Sequence, residues 1–166
     1  FVLPGTHSKW VGVENGAIVR INTALTGELF ALLRDHSILL KTGGTVSTNA
    51  SEHDEGFAAG LSRSRHLPER LLAALFETRT AQLLRGRSRA WAEGFLSGLL
   101  IGDEIAGLSA LHAAIRDVVV IGDTQLAELY ERAFSEYGIR ARPIDGKKCA
   151  LAGLRQLYEI VQGELA

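Results

Sequence analysis

The sequence predicts an α/β fold in which helices pack on a mixed sheet, and three observations lead to this class. An alternating apolar pattern around an Asn-Gly pair opens the chain and indicates antiparallel strands. A long middle section has apolar residues at helical spacing. The last third alternates strand and helix patterns, which is typical of parallel strands joined by helices.

The opening segment predicts a strand, a polar loop and a β-hairpin. Phe1–Leu3 is a short apolar run, and the polar loop Gly5–Lys9 follows it. The next two strands are expected at Trp10–Glu14 and Ala17–Asn22. Asn15-Gly16 joins them, and this pair suits a tight turn because both residues tolerate positive φ.

Helical patterns then follow one another along the middle of the chain. Leu25 to Leu33 recur at helical spacing, with Thr23 or Thr26 available as a cap. Thr42–Ala50 is rich in Gly, Thr and Ser and is expected to be a loop. Ser51-Glu52-His53-Asp54 is a capping-box pattern that predicts the start of another helix. Pro68 suits the first turn of the next helix, whose buried face is expected to contain Leu71, Leu72, Leu75, Phe76 and Leu83.

Ser88–Ile115 predicts a longer helix with a bare face. Small residues recur on it every four positions, at Gly94, Gly98, Gly102 and Ala106. Such a row allows another backbone to approach closely. Because acidic residues interrupt the segment, we expect tight packing in a protein core rather than helix association in a membrane.

The last third predicts two parallel strands with a helix after each. Val118–Ile121 is β-branched throughout, as expected of a strand covered on both faces. Asp123 suits the N-cap of the helix Thr124–Tyr137, which Gly138 is expected to end. A further strand and a last helix follow, at Ile139–Pro143 and Lys147–Gln162.

Composition excludes several classes of protein. The chain is 46% hydrophobic and 22% charged, which argues against disorder, and its net charge of -1 gives no field toward nucleic acid or anionic lipid. Cys149 is the single cysteine, so an internal disulfide is excluded. The longest apolar run, Phe95–Gly102, is far shorter than the roughly 20 residues of a membrane span, and no leader pattern opens the chain. We therefore expect a cytoplasmic protein without nucleic-acid or membrane partners. Because the chain opens on a strand and contains no methionine, we also expect it to be part of a longer polypeptide.

The loop Gly5–Lys9 is the first candidate site. Gly5, Thr6, His7, Ser8 and Lys9 offer backbone amides, two hydroxyls, an imidazole and an ammonium group, which are the groups that bind phosphate. The Gly-x-x-x-x-Gly-Lys spacing of a Walker loop is absent. A polar turn without a ligand is the alternative interpretation.

Two helix starts are the other candidates. Gly122-Asp123 follows a predicted parallel strand, at a position where α/β folds bind nucleotides, but Asp123 is equally well explained as an N-cap. Thr26 and Glu28 open a helix, and Glu28 either faces a cleft and holds metal-bound water or complements the helix dipole. The five histidines show no metal-ligand spacing, so no protein metal site is predicted, and His112 is expected to be a core residue. Ser97 lacks a nucleophile elbow around it.

Several strings of the sequence, taken in order, resemble the 2-dehydro-3-deoxygalactonokinase family. They are Leu3–Val11, Thr26–Leu33, Ser97–Glu104, Ile121–Asp123 and Leu126–Tyr130. Pro-Gly-Thr-His-Ser-Lys-Trp is the most specific of these strings. The likeness covers nearly the whole chain and corresponds to the C-terminal part of the family.

The resemblance implies an actin-like (ribonuclease H-like) sugar-kinase fold, in which two lobes close over ATP and substrate. Residues 1–166 would be one C-terminal lobe, without the N-terminal lobe and its Asp-x-Gly-Thr phosphate loop. Gly5–Lys9 would be the second phosphate loop, and Gly122 and Asp123 would border the adenosine. This turn often reads Gly-Gly in related kinases, and Leu25 stands where family members commonly carry Met.

The reaction that the resemblance implies is transfer of the γ-phosphoryl group of ATP, with Mg²⁺, to the 6-hydroxyl of 2-dehydro-3-deoxy-D-galactonate, a step of galactonate breakdown. No catalytic base is assigned, and we expect it to lie outside this chain. We also expect the chain alone to be inactive. A kinase for another sugar acid, or a non-catalytic module that binds a sugar acid or nucleotide, are the alternatives. A homo-oligomer is left open.

Overall fold

A computed structural model describes residues 1–41, 49–66, 71–111 and 115–164. Five strands form one mixed sheet, in the spatial order β3-β2-β1-β4-β5. The strands are β1 (Val2–Leu3), β2 (Ser8–Glu14), β3 (Ala17–Ala24), β4 (Asp117–Gly122) and β5 (Arg140–Asp145). β1, β2 and β3 pair antiparallel, whereas β4 pairs parallel with both β1 and β5. The predicted mixed sheet with an antiparallel start is confirmed.

Seven helices connect or follow these strands in the described part of the chain. They are α1 (Thr26–His36), α2 (Ala50–Ser64), α3 (Leu71–Leu75), α4 (Glu77–Arg85), α5 (Arg89–Leu111), α6 (Thr124–Glu136) and α7 (Gly146–Glu164). The predictions for Pro68, for His112 and for most of the loop 42–50 fall outside the described residues.

The turns and caps of the sheet follow local sequence signals. Asn15 and Gly16 both have positive φ, of 52° and 78°, which gives the tight turn between β2 and β3. Asp123 caps α6, because its side chain accepts a hydrogen bond from the Leu126 backbone at 3.0 Å. Gly138 follows that helix at a φ of 68°, as predicted for its end.

The long helix α5 packs against α2 through glycines of both helices. A Cβ atom on Gly98 would lie 2.2 Å from the carbonyl oxygen of Phe57, and one on Gly60 would lie 2.2 Å from that of Phe95. Gly94 and Gly102 are equally tight, whereas Ala106 is exposed. The predicted bare face is therefore confirmed at three of its four positions: a side chain at Gly94 or Gly98 would meet the backbone of α2, and one at Gly102 would meet the Ser64 side chain.

Two apolar clusters lie on either side of α5. One joins the sheet to α6, where the rings of Trp10 and Phe134 lie 5.6 Å apart. The other joins α5 to α1, α3 and α4, and there the rings of Trp91 and Phe95 stack at 5.1 Å. α5 is the one described helix long and apolar enough to cross a membrane by length and composition. Its burial between the two clusters accounts for that apolar character.

Some details of the helices differ from the sequence-based expectations. Asn49, two residues before Ser51, caps α2 by accepting from the Ser51 backbone at 3.0 Å. α1 starts at Thr26 with no side-chain cap. The expected buried face of α3 and α4 is wrong in part, because only Leu75 of its five residues is fully buried while Leu72, Phe76 and Leu83 are exposed.

Candidate functional site

A cleft of about 460 Å³ opens where the loop Gly5–Lys9, here called the first loop, meets the N-terminal ends of α1 and α6. Its polar wall brings together residues of all three segments singled out in the sequence: Gly5, Thr6, Thr26, Gly27 and Asp123. Its other walls come from α1, α2, α5 and α6 and are mostly apolar: Phe30, His53, Ser97, Leu100, Ile101, Leu126, Leu129 and Tyr130. The cleft therefore has a polar end, formed by the first loop and the starts of α1 and α6, and an apolar end formed mostly by the other lining residues.

The first loop lies directly on the start of α1. The backbone N–H of Glu28 donates to the Thr6 carbonyl at 2.8 Å. A Cβ atom on Gly27 would lie 2.2 Å from the Gly5 carbonyl oxygen and 2.9 Å from the Thr6 Cα. Only glycine fits at position 27. This close approach sets the distance between the first loop and the start of α1.

The five residues of the loop do not all face the cleft. Gly5 and Thr6 line the cleft, and Thr6 is exposed. Ser8 is fully buried, and its hydroxyl donates to Glu104 at 2.7 Å. Lys9 follows on the opposite face of β2 and donates to the His7 carbonyl at 3.1 Å. The structure thus gives Ser8 and Lys9 partners within the protein, while Gly5 and Thr6 line the cleft.

Glu28 contacts His7 rather than the cleft. The His7 Nε2 and Glu28 Oε2 atoms are hydrogen-bonded, and both side chains are about half exposed. The pair ties the loop to α1 a second time, beside the backbone bond to Thr6. Thr26 does line the cleft, and its hydroxyl donates to Glu104 Oε2.

Asp123 stands at the N-terminus of α6 between two cavities. It lines the main cleft, and together with Gly122 it also lines a neighbouring cavity of about 330 Å³ at the ends of β4 and β5. Its capping role is confirmed, and the free backbone N–H groups of the first turn of α6 favour a negative charge beside it. Both interpretations of Asp123, as a cap and as a cleft residue, fit the geometry.

A buried carboxylate beneath the cleft was not foreseen from the sequence. Glu104 on α5 is 7% exposed and accepts hydrogen bonds from four side chains, belonging to Ser8, Trp10, Thr26 and Tyr130. Burial and the charge of Glu104 raise the pKa of Tyr130, so the phenol stays protonated. The signal that could have found Glu104 is an acidic residue inside an apolar helical run, since such a residue is rarely buried without partners.

His53 and Ser97 also reach the cleft, although sequence reasoning assigned them no role. His53 is half-buried on α2, and Ser97 is buried on α5. Within residues 1–41, 49–66, 71–111 and 115–164, no three His, Cys, Asp or Glu side chains are grouped closely enough to hold a metal ion by themselves.

Fold and cleft together define the class of this protein. The five-stranded order β3-β2-β1-β4-β5, with two antiparallel and two parallel strand pairings and a cleft over the first loop, is that of an actin-like kinase lobe. The chain belongs to the 2-keto-3-deoxy-galactonokinase family, whose model matches residues 1–157.

Individual relatives agree with this assignment. The chain is 37% identical over 152 residues to a Rhizobium meliloti (strain 1021) protein named "Probable 2-dehydro-3-deoxygalactonokinase DgoK1", covering 92% of the chain and 49% of the relative. It is 35% identical over 161 residues to the 2-dehydro-3-deoxygalactonokinase of Escherichia coli (strain K12), covering 97% of the chain and 53% of the relative. A crystal structure from Sinorhizobium meliloti, described as that of "a putative 2-dehydro-3-deoxygalactonokinase protein", matches with a TM-score of 0.84 and 34% identity over 96% of this chain and 53% of that one. The chain thus spans about half the length of these relatives.

Proposed function

We propose that this chain is the nucleotide-binding C-terminal lobe of an ATP-dependent kinase that phosphorylates the 6-hydroxyl of 2-dehydro-3-deoxy-D-galactonate. The observation that carries the proposal is the cleft, which unites Gly5-Thr6, Thr26-Gly27 and Asp123 although they are far apart in the sequence. Family membership supplies the reaction, since the curated relatives are named 2-dehydro-3-deoxygalactonokinase.

The polar end of the cleft suits the phosphate groups of ATP. Backbone amides of Gly5 and Thr6, the Thr6 hydroxyl and the N–H groups of the first turn of α6 that Asp123 does not bind could donate hydrogen bonds to phosphate, and the helix terminus adds partial positive charge. In phosphoryl transfer such groups act by positioning and by neutralising charge. Thr6 and the first turn of α6 would therefore hold the phosphates.

The apolar end of the cleft suits a nucleotide base. Phe30, Leu126 and Leu129 provide apolar surface, and His53 adds one polar group that could fix the orientation of the base. In this arrangement Asp123 would lie where the phosphates meet the nucleoside. Gly122, which lines the neighbouring cavity, would border the nucleoside from that side, as the resemblance implied.

Mg²⁺ fits the cleft as a companion of the nucleotide. This ion is usually held by one or two carboxylates together with substrate phosphates, rather than by a complete protein cage. Asp123 is the carboxylate that lines the described cleft, and it stands at the phosphate end. When bound, the ion would neutralise phosphate charge, while the residues of this chain position the nucleotide.

The sugar acid and the catalytic base would lie mainly on the half of the family that this chain does not span. We therefore expect the 166-residue chain alone to show no transferase activity. The expected partners are the two small-molecule substrates, and the expected location is the cytoplasm.

Substrate-stimulated release of ADP tests the proposal. The full-length protein that carries this chain should release ADP from Mg·ATP slowly, and strongly faster when 2-dehydro-3-deoxygalactonate is added. Thr6→Val should raise the KM for ATP or lower kcat by about tenfold or more, because a hydrogen bond to a charged group contributes about 1.5–3 kcal/mol. Thr23→Val, an exposed position on β3, is the matched control and should change neither constant.

Other outcomes would contradict the proposal in separable ways. Stimulation only by a different sugar acid would keep the kinase and replace the substrate. ATP binding without turnover on any sugar acid would indicate a binding module. Identical kinetics for Thr6→Val and Thr23→Val would remove the loop from the site.

A further inference from the structure

The buried carboxylate of Glu104 accepts hydrogen bonds from side chains on several of the elements that surround the cleft. Its Oε1 accepts from Ser8 Oγ and from Trp10 Nε1, each at 2.7 Å. Its Oε2 accepts from Tyr130 at 2.7 Å and from the Thr26 hydroxyl. These donors belong to β2, which directly follows the loop Gly5–Lys9 at its Ser8 end, and to α6 and α1, which carry cleft residues, so one carboxylate on α5 connects all three elements.

The four bonds match the capacity of an ionised carboxylate. Such a group has about four acceptor positions and no proton to donate. A buried charge is tolerated only where its hydrogen bonds are made, and at Glu104 both oxygens are used twice. The hydroxyls of Ser8, Thr26 and Tyr130 therefore all direct their protons at Glu104.

This arrangement decides what Thr26 can offer to a ligand. A hydroxyl has one proton and two lone pairs, and the proton of Thr26 is already committed. Thr26 lines the cleft and is partly exposed. Toward the cleft it can only accept a hydrogen bond. A phosphate oxygen without a proton is a poor partner for it, whereas a hydroxyl group or a metal-bound water is a good one.

We propose that Glu104 is a positioning residue that orients the Thr26 hydroxyl as a hydrogen-bond acceptor for an O–H donor of the bound substrates. The inference rests on the proposed function for the identity of those substrates. Phosphates accordingly bind at the Gly5-Thr6 side of the polar end, and the donor group of the ligand faces Thr26.

Glu104→Gln reverses this orientation without removing the side chain. The indole N–H of Trp10 can only donate, so the new amide oxygen must stay on the side of Trp10 and Ser8. The new NH₂ group then faces Thr26 and Tyr130, whose hydroxyls can turn and accept. The Thr26 proton would afterwards turn away from position 104, toward the Tyr130 oxygen or into the cleft, so the hydroxyl would no longer be fixed as an acceptor.

The experiment compares Glu104→Gln, Thr26→Val and the double variant in the full-length protein. We expect Glu104→Gln to raise the KM or the Kd of one substrate by more than tenfold, and Thr26→Val by about threefold to tenfold. The double variant should be no worse than Glu104→Gln alone, because both changes remove the same acceptor. Asp103→Asn, the neighbouring half-buried carboxylate on α5, is the matched control and should leave both constants unchanged.

The three possible sources of the donor give different results. A rise in the constant for Mg·ATP that disappears with 2′-deoxy- or 3′-deoxy-ATP assigns a ribose hydroxyl, and one that persists assigns metal-bound water. A rise in the constant for the sugar acid alone assigns one of its hydroxyls. Thr26→Ser, which retains the hydroxyl, should restore the affinity that Thr26→Val loses.

Equilibrium binding separates this inference from the proposed function. Full-length wild-type protein that binds neither ATP nor the sugar acid overturns the proposed function and this inference with it. Wild-type binding that Thr26→Val leaves unchanged overturns only this inference, even if Glu104→Gln fails to fold. Strictly additive losses in the double variant also overturn it, since they indicate a general structural effect.

Discussion

Gly98→Ala should destabilise the protein although alanine favours helices. The new Cβ atom would lie 2.2 Å from the Phe57 carbonyl oxygen and 2.9 Å from the Leu61 backbone nitrogen, whereas ordinary contacts begin at 3.4 Å. α2 and α5 would have to move apart by roughly 1 Å along their longest mutual contact, which disturbs both apolar clusters. Overpacking of this kind typically costs about 1–3 kcal/mol. The larger Gly98→Leu change should cost at least as much.

Gly107→Ala is the matched control on the same helix. Nothing lies within 4 Å of its Cβ position, and the residue is exposed, so alanine should stabilise α5 by up to about 1 kcal/mol. Urea unfolding followed by the fluorescence of Trp10 and Trp91 measures both effects. The free energies of unfolding of the two variants should differ by about 1–4 kcal/mol, and with a slope of about 1–3 kcal/mol per molar urea their midpoints should differ by at least about 0.3 M. Equal midpoints, or a more stable Gly98→Ala variant, would refute the close packing of α2 on α5.

Three further predictions concern the cleft and its helix starts. Gly27→Ala should raise the KM for ATP several-fold in steady-state kinetics, because its Cβ atom would displace the first loop, whereas Gly153→Ala on α7 has open space and should have no effect. Asp123→Ala should lower the free energy of unfolding by about 0.5–2 kcal/mol through loss of the α6 cap, and the Asn variant should retain most of it; equal stability of all three proteins would contradict the capping role. Backbone N–H groups at the start of α7, that of Lys148 first, hold the pKa of Asp145 below its ordinary 3.8, so its stabilising effect is present above that value and lost as the pH falls through the lower folded pKa. Urea unfolding across pH should therefore show a difference between wild type and Asp145→Ala that shrinks below about pH 4, and a difference that grows there would be the opposite result.

Features governed by neighbouring residues could be predicted from the sequence. The positive φ angles of Asn15 and Gly16, the Asp123 cap and the end of α6 at Gly138 each depend on a few adjacent residues. The tight face of α5 was predictable as well, since a four-residue repeat of small residues has one physical use in a packed helix.

Features that depend on distant contacts could not be predicted in the same way. Leu72 and Leu83 have the spacing of a buried face, yet the way α3 and α4 lie on α5 leaves them exposed. The capping box at Ser51 was displaced because Asn49 provides the side-chain acceptor instead.

In the candidate site too, local features could be predicted from the sequence, whereas contacts between distant residues could not. Its three segments were identifiable one by one, but their meeting in one cleft depends on the sheet order and on the close approach of Gly27 to the first loop. Glu104 collects donors that lie up to 96 residues away, and no local pattern records that convergence. The same contact explains why Ser8, assigned to phosphate from its position in the loop, is turned into the interior.

The proposed function depends on ATP binding in the cleft between the first loop, α1, α5 and α6. The most direct test is a crystal structure of the full-length protein with a non-hydrolysable ATP analogue and Mg²⁺. We expect the phosphates of the analogue to lie against Gly5, Thr6 and the first turn of α6. The base should lie beside Leu126 and Leu129. A nucleotide bound elsewhere, with this cleft still open, would contradict it.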